Sequence, residues 1–334
     1  MLLSYSFIVP VYNRPDEVQE LLDSLAKMKT NVAFEVVIVE DGSTQSSEGV
    51  VAAFQDKLDI AYFFKENSGP GDSRNYGMQR AKGNYFIILD SDCIIPEHYL
   101  EAANTALTAR FTDCYGGPDA AHESFSDLQK AINYTMTSLL TTGGIRGNKH
   151  AQKRYEPRSF NMGISKTVFE QTKGFGSIHP GEDPDLSQRI KKGGFGVQFI
   201  EQAFVYHKRR ISWSKFYKQV RKFGLVRPIL TVWHPESAKI TFWFPSLFLL
   251  GCIGVIALWI AFGIVWPLGA LCGYLAIIFI DASFQAKNPL IGLMAVWATI
   301  VQFFGYGWAF IKSTILIRWL RRKPKKVFPE LFFD

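Results

Sequence analysis

The chain has 334 residues, of which 48% are hydrophobic and 20% charged, and a net charge of +7. Its four cysteines, Cys93, Cys114, Cys252 and Cys272, are too few and too scattered for a disulfide scaffold or a cysteine-bound metal cluster and are expected to be free thiols. The apolar content excludes a disordered chain, and the basic residues gather at 207–239 and 318–326, beside the most apolar sequence, which favours an acidic membrane surface over nucleic acid.

In chain order, the amino-terminal half alternates strand and helix signals. Phe7-Ile8-Val9-Pro10-Val11-Tyr12-Asn13 is a short apolar run with a polar end, the length of one inner strand of a parallel sheet. Pro15-Asp16-Glu17 opens a helix with proline and acids in its first turn, and Val18, Leu21, Leu22 and Leu25 give it one apolar face. Val36 to Val39 repeats the strand pattern and ends in Glu40-Asp41-Gly42-Ser43. A helix is predicted from Ser46 to about Gln55, a strand over Ile60–Phe64, and a helix entered through Gly69-Pro70-Gly71 and running to about Ala81. Ile87-Ile88-Leu89 is a third polar-ended strand, finishing in Asp90-Ser91-Asp92. This alternation indicates right-handed β-α-β units and a mostly parallel α/β sheet. The carboxyl ends of such strands face the ligand crevice. Two acids one residue apart there can share a divalent cation, which in turn can neutralise a diphosphate. The first strand is not followed by Gly-x-Gly-x-x-Gly, which argues against an ordinary dinucleotide-binding oxidoreductase.

Further along, Gly181-Glu182-Asp183-Pro184-Asp185-Leu186 places acids at the start of a helical pattern, as capping alone would also do. Phe199 to Tyr206 is expected to be a last strand leading to His207 and Lys208-Arg209-Arg210. Thr141 to Pro157, with Gly143-Gly144, is the least regular stretch and is expected to be a surface loop, with a mobile loop that orders on ligand binding as the alternative.

Taken together, Val9-Pro10-Val11-Tyr12-Asn13, Val39-Glu40-Asp41-Gly42-Ser43, Arg74-Asn75 and Asp90-Ser91-Asp92 resemble the ordered motif set of the family 2 glycosyltransferases. The resemblance continues through Asn161-Met162-Gly163 and Gly181 to Leu186, covering roughly residues 4–210. It implies an inverting enzyme of GT-A fold with a nucleotide-sugar donor and a Mg²⁺ or Mn²⁺ ion. One departure is Glu40, where the family usually carries Asp. Position by position, the resemblance implies that Pro10 and Tyr12 border the base and that Asp41 accepts a hydrogen bond from it. Arg74 would lie near base or phosphates, Asp90 and Ser91 near the ribose, and Asp92 would ligate the metal. It further implies that Asp183 is the base that deprotonates the acceptor, that Glu182 and Asn161 line the acceptor side, and that His207 completes the metal site or meets the diphosphate. Inversion by direct displacement needs such a base only if the acceptor is a hydroxyl; a phosphate is already an anion. A lipid-linked or surface-glycan hydroxyl is therefore the expected acceptor, a polyprenyl phosphate the alternative, and a non-catalytic nucleotide-binding membrane protein the third reading.

After Lys239 the chain becomes almost continuously apolar. Phe242 to about Val265 and Leu290 to about Ile317 are long enough to span a bilayer, and Pro267 to about Phe284 is marginal. Trp213, Phe216, Tyr217 and Val220 share one helical face opposite Lys215, Lys218, Arg221 and Lys222, the pattern of a helix lying on anionic lipid. Lys222 and Phe223 replace the Arg-Trp pair of the Gln-x-x-Arg-Trp motif of processive synthases, so processivity is not expected. The expected order is a catalytic domain over 1–210, an interfacial helix and linker over 211–240, a transmembrane region over 241–318 and a basic tail over 319–334. No signal peptide precedes the first strand, so the catalytic half is expected in the cytoplasm, at the inner membrane. Three full spans would put the two basic clusters on opposite sides, against the positive-inside tendency, so one apolar segment is expected not to cross.

Overall fold

The computed structural model describes residues 2–120, 125–143, 155–208 and 212–333. Most of the expected surface loop, and Arg209 and Arg210, lie outside the described residues.

The chain runs β1 (Tyr5–Val11), α1 (Pro15–Ala26), β2 (Phe34–Asp41), α2 (Glu48–Ala52), β3 (Ile60–Lys65), α3 (Pro70–Arg80) and β4 (Tyr85–Leu89). It continues through β5 (Cys93–Ile94), α4 (Tyr99–Ala109), β6 (Cys114–Gly116), β7 (Asp119–Ala120), α5 (Asp127–Thr137) and α6 (Leu139–Thr142). Next come β8 (Asn161–Ser165), α7 (Lys166–Thr172), α8 (Glu182–Lys192), β9 (Val197–Phe199) and β10 (Val205–His207). The last long helices are α9 (Trp213–Trp233), α10 (Phe244–Phe262), α11 (Trp266–Ala286) and α12 (Pro289–Ser313).

Two compact units result, and the division is not linear in sequence. The first comprises Met1–His122, Lys149–His207 and Phe332–Asp334; the second comprises Glu123–Asn148 and Lys208–Leu331.

The first unit is built on a seven-stranded sheet of order β3-β2-β1-β4-β8-β6-β9. Every neighbouring pair is parallel except the two that β8 makes. The inner strands are buried on both faces, as their continuous apolar runs require. One face is covered by α1 through Val18, Leu21, Leu22 and Leu25, and by Tyr99, Leu100 and Leu107 of α4. The other packs against Met78 of α3 and Leu186 and Ile190 of α8. Gly77 lets α3 lie close to the sheet, because a Cβ there would come within 2.8 Å of Ile8. The helix expected to Gln55 is shorter, ending at Ala52 in turns. The run expected as one last strand divides in two: β9 closes the large sheet, and β10 forms a small sheet of order β5-β10-β7. Exposed Glu201 and Gln202 make the break, where the Ala203 N–H donates to the Ile200 carbonyl.

The second unit is helical. Ser126 and Gln129 form a capping box that starts α5. Three helices are long and apolar enough to cross a membrane: Ile240–Phe262, Trp266–Ala286 and Pro289–Trp319. The middle one is therefore longer than the marginal span read from the sequence. The helix expected to lie on lipid has a protein partner instead, since Phe216 and Val220 of α9 are buried in a cluster with Ala298 of α12. Small residues allow this approach: a Cβ on Gly224 would sit 2.4 Å from the Tyr306 carbonyl oxygen, and one on Gly305 3.0 Å from Val220. The basic residues of the opposite face, Lys215 and Lys218, stay exposed.

Candidate active site

The parallel order brings the polar ends of β1, β2 and β4 to one edge of the sheet. Asn13, with φ of 54°, turns the chain after β1. Its side-chain oxygen accepts the N–H groups of Thr44 and Gln45 at 2.8 and 2.9 Å, joining two of the motifs. Glu40 shows what its extra methylene does: the buried carboxylate accepts the Ser47 N–H at 2.8 Å and the hydroxyls of Ser43 and Tyr62, which closes the loop after β2. Asp41 is also buried. It accepts from Lys65 Nζ at 2.8 Å and from the N–H groups of Ser68 and Gly69 at 3.0 and 2.9 Å, and so holds the entry to α3. Tyr12 is half exposed and Pro10 partly buried beside it. Ser91 is buried, with its hydroxyl 3.5 Å from Glu17.

Arg74, expected to meet the donor directly, is buried on α3 and acts as a bridge. It pairs with Asp90 at 2.7 Å and with Glu182 at 3.0 Å, and lies over the Phe175 ring at 5.1 Å. The end of β4 is thus tied to the first turn of α8. Burial works to raise the Glu182 carboxyl, but His179, which hydrogen-bonds it at 3.1 Å, and then Arg74 outweigh burial and hold it down, at about 2. Glu182, expected at the acceptor, is therefore a buried anion that fixes Arg74. Asp183, the next residue, keeps a partly exposed carboxylate and lies 3.7 Å from Arg158. Arg158 is held charged; burial would lower its pKa, but Asp183 and Glu156 raise it. The first turn of α8 carries Glu182, Asp183 and Asp185 and its last turn Arg189, Lys191 and Lys192, each matched to the local end of the helix dipole.

Antiparallel pairing of β10 with β5 sets His207 opposite Cys93 and brings His207 Nε2 to 3.1 Å from Asp92 Oδ1. The ligand atoms of Asp92, Cys93 and His207 all lie within 4.8 Å of one another. Two oxygen or nitrogen ligands at about 2.1 Å from an octahedral cation sit about 3 Å apart, so Asp92 and His207 fit Mg²⁺ or Mn²⁺. Burial, reinforced by Asp92 and Asp90, pushes the Cys93 thiol well up, so it remains protonated and donates to the Phe160 carbonyl at 3.5 Å. Arg14 reaches Asp92 at 3.4 Å and Glu17 at 2.5 Å.

Asn161, expected on the acceptor side, is fully buried. It accepts from the Tyr99 hydroxyl at 2.6 Å and donates to the Ala203 carbonyl at 2.8 Å, so it ties β8 to the turn before β10. Arg14 and Arg158 belong to no sequence motif. The chain's end also returns here: Phe332 bridges Ile178, the Phe333 N–H donates to the Ser177 carbonyl at 2.9 Å, and a Cβ on Gly69 would meet the Phe333 ring at 2.4 Å. Phe333 walls a cavity of about 220 Å³ with Ser68, Asp72, Asn75 and His179.

The sequence model of glycosyl transferase family 2 matches residues 6–172, half of the chain. An uncharacterized glycosyltransferase of Rickettsia felis is 39% identical over 186 residues, which are 51% of this chain and 30% of that protein. The chain spans 20–30% of the rickettsial relatives it matches in sequence. Among solved structures, the mannosyltransferase PcManGT from Pyrobaculum calidifontis, in complex with GDP-Man and Mn²⁺, superposes with a TM-score of 0.57 at 15% identity, covering 92% of this chain and 86% of its own. Staphylococcus aureus TarS 1–349, in complex with UDP-GlcNAc, gives 0.50 at 18% identity, covering 93% and 91%. At these identities the likeness is one of fold, the GT-A α/β arrangement followed by helices.

Proposed function

The chain belongs to glycosyl transferase family 2 and is a glycosyltransferase, and from that premise we propose that it is a membrane-bound, inverting enzyme. The donor is a sugar on a nucleoside diphosphate, and the acceptor is a hydroxyl of a lipid-linked or surface glycan. The observation that carries this reading is the Arg74 bridge: one buried guanidinium joins Asp90, at the strand end where a donor would lie, to the helix turn that presents Asp183.

Asp183 takes the proton from the acceptor hydroxyl. The oxygen so freed attacks the anomeric carbon, and the bond to the diphosphate oxygen breaks on the opposite face. Arg158 keeps the Asp183 carboxylate oriented. Tyr12 and Pro10 border the nucleobase, Asp41 holds the loop beneath it, and Asp90 and Ser91 lie by the ribose. Asp92 and His207 hold Mg²⁺ or Mn²⁺, which supplies positive charge against the leaving diphosphate. The three apolar helices and the flanking basic residues support work at the cytoplasmic face of the inner membrane.

Calorimetric titration of nucleoside diphosphates with Mn²⁺ tests the donor half. Affinity that depends on Mn²⁺ and drops at least about tenfold in Asp92→Asn is the expected result. Unchanged affinity in that variant, or no nucleotide-sugar turnover with any donor, overturns the reading.

A further inference from the structure

The first unit contains both His207 and, beyond the helices, Phe332. Phe332 is strand-bridged to Ile178, and the next residue, Phe333, bonds to Ser177. A chain that leaves this unit after His207 and rejoins it at Phe332 must cross a bilayer an even number of times. The charge pattern asks for the same parity, because one basic cluster precedes the apolar helices and Arg318 to Lys326 follows them. Three candidate spans cannot all cross.

Burial separates them. Only 11% of the apolar window is buried in each of the first two spans, against 44% in the third. In α10 only Ser246 and Leu249 are buried, and in α11 only Ile278 and Ala282. Residues 240–280 contain no charged side chain. The 19 residues of α10 extend about 28 Å, close to the roughly 30 Å of a bilayer's hydrocarbon core. Gly263, with φ of 66°, ends α10, and the connection to α11 is apolar, flanked by exposed Phe262 and Trp266.

The longest apolar helix, α12, is engaged along its length. Thr135 of α5 donates to the Ala295 carbonyl at 3.2 Å, and Ser313 donates to the Leu225 carbonyl of α9 at 2.6 Å. Its carboxyl half therefore runs beside α9, whose Lys215, Lys218, Arg221 and Lys222 would have to enter the hydrocarbon with it. Lysine and arginine at that depth are strongly disfavoured.

We infer that the bilayer is entered by the α10–α11 hairpin alone, with α12 held outside the hydrocarbon core by α5 and α9. The catalytic unit, α9 and the Arg318–Lys326 segment then share one aqueous face. This deepens the membrane-bound reading above and rests on it.

Impermeant-maleimide labelling of the full chain tests it, in right-side-out and inverted vesicles from the expressing cells. In a Cys252→Ser, Cys272→Ser background, single probes are placed by Lys57→Cys, Lys287→Cys and Lys325→Cys. All three are expected to react in the same vesicle preparation and to be protected in the other. If the Lys325 probe alone is on the opposite face, three helices cross and the inference fails. If the Lys287 probe alone is opposite, α12 crosses together with one of α10 and α11, and it also fails. Release of the parent protein by alkaline carbonate would overturn the membrane reading and the hairpin together, whereas a retained protein with split labelling overturns the hairpin only.

Discussion

The two units solve one problem, the cost of enclosing polar groups, in opposite ways. The first buries charges and pairs them: buried Arg74 pairs with buried Glu182 and with Asp90, and Glu40 and Asp41 accept backbone N–H groups at the strand ends. The second keeps residues 240–280 free of charge and brings backbones together through small residues, as at Gly224 against Tyr306. Burying a charge without a partner is costly, whereas burying a methyl group is favourable and needs only space. The first unit should therefore be sensitive to charge and hydrogen-bonding pattern, the second to volume.

The sharpest test lies at the partly exposed acid of the first unit. Asp183→Asn keeps shape and removes the proton acceptor, so transfer at saturating donor should fall about 10²–10⁴-fold, with donor affinity nearly unchanged. A near-wild-type rate would remove the base and leave a phosphate acceptor as the better reading. Next in size is Arg74→Met, which takes the guanidinium from Asp90 and leaves Glu182 with His179 alone; it should destabilise the protein by about 3–5 kcal/mol, read as a lowered urea midpoint. If the midpoint stays put, the bridge is not holding α8.

Volume should dominate in the second unit. Gly224→Ala drives a Cβ to 2.4 Å from the Tyr306 oxygen and should cost about 1–3 kcal/mol by thermal unfolding in detergent. Gly251→Ala, with nothing within 4 Å of the added carbon, should be neutral or slightly stabilising. Equal effects at both glycines would erase the contrast between a packed and a lipid-facing helix.

The smallest effect concerns acid. The Glu182 carboxyl is lowered from 4.5 to about 2 on folding. The unfolded chain therefore binds its proton first as pH falls. The contribution of Glu182 is full above about pH 4.5 and is lost on descent through about pH 2. Denaturant titrations between about pH 5 and 3 should show falling stability in the parent and a shallower slope in Glu182→Gln; parallel slopes would assign the acid limb to other groups.

Local signals carried much of this architecture in the sequence. The polar-ended strands, the proline-led helices α1 and α3, the acid motifs and the three apolar helices were readable because each depends on residues close together in the chain. The meeting of His207 with Asp92 was readable only as a family resemblance, since its geometry depends on β10 pairing with β5 in a small sheet. Arg74 reads as a donor contact in sequence because its two partners lie on different elements. Asn161 carried a motif position, yet its bonds to Tyr99 and the Ala203 carbonyl exist only once the sheet closes.

The same division holds for the apolar half. Residue order alone determined that 240–280 is free of charge and that α9 has one apolar and one basic face. It did not determine what the apolar face of α9 meets, because lipid and a protein helix offer the same hydrophobic reward and periodicity cannot tell them apart. Tertiary structure decided in favour of α12, through close approaches at Gly224 and Gly305. It also returned Phe332 and Phe333 to the catalytic unit, a long-range contact on which the parity of membrane crossings turns.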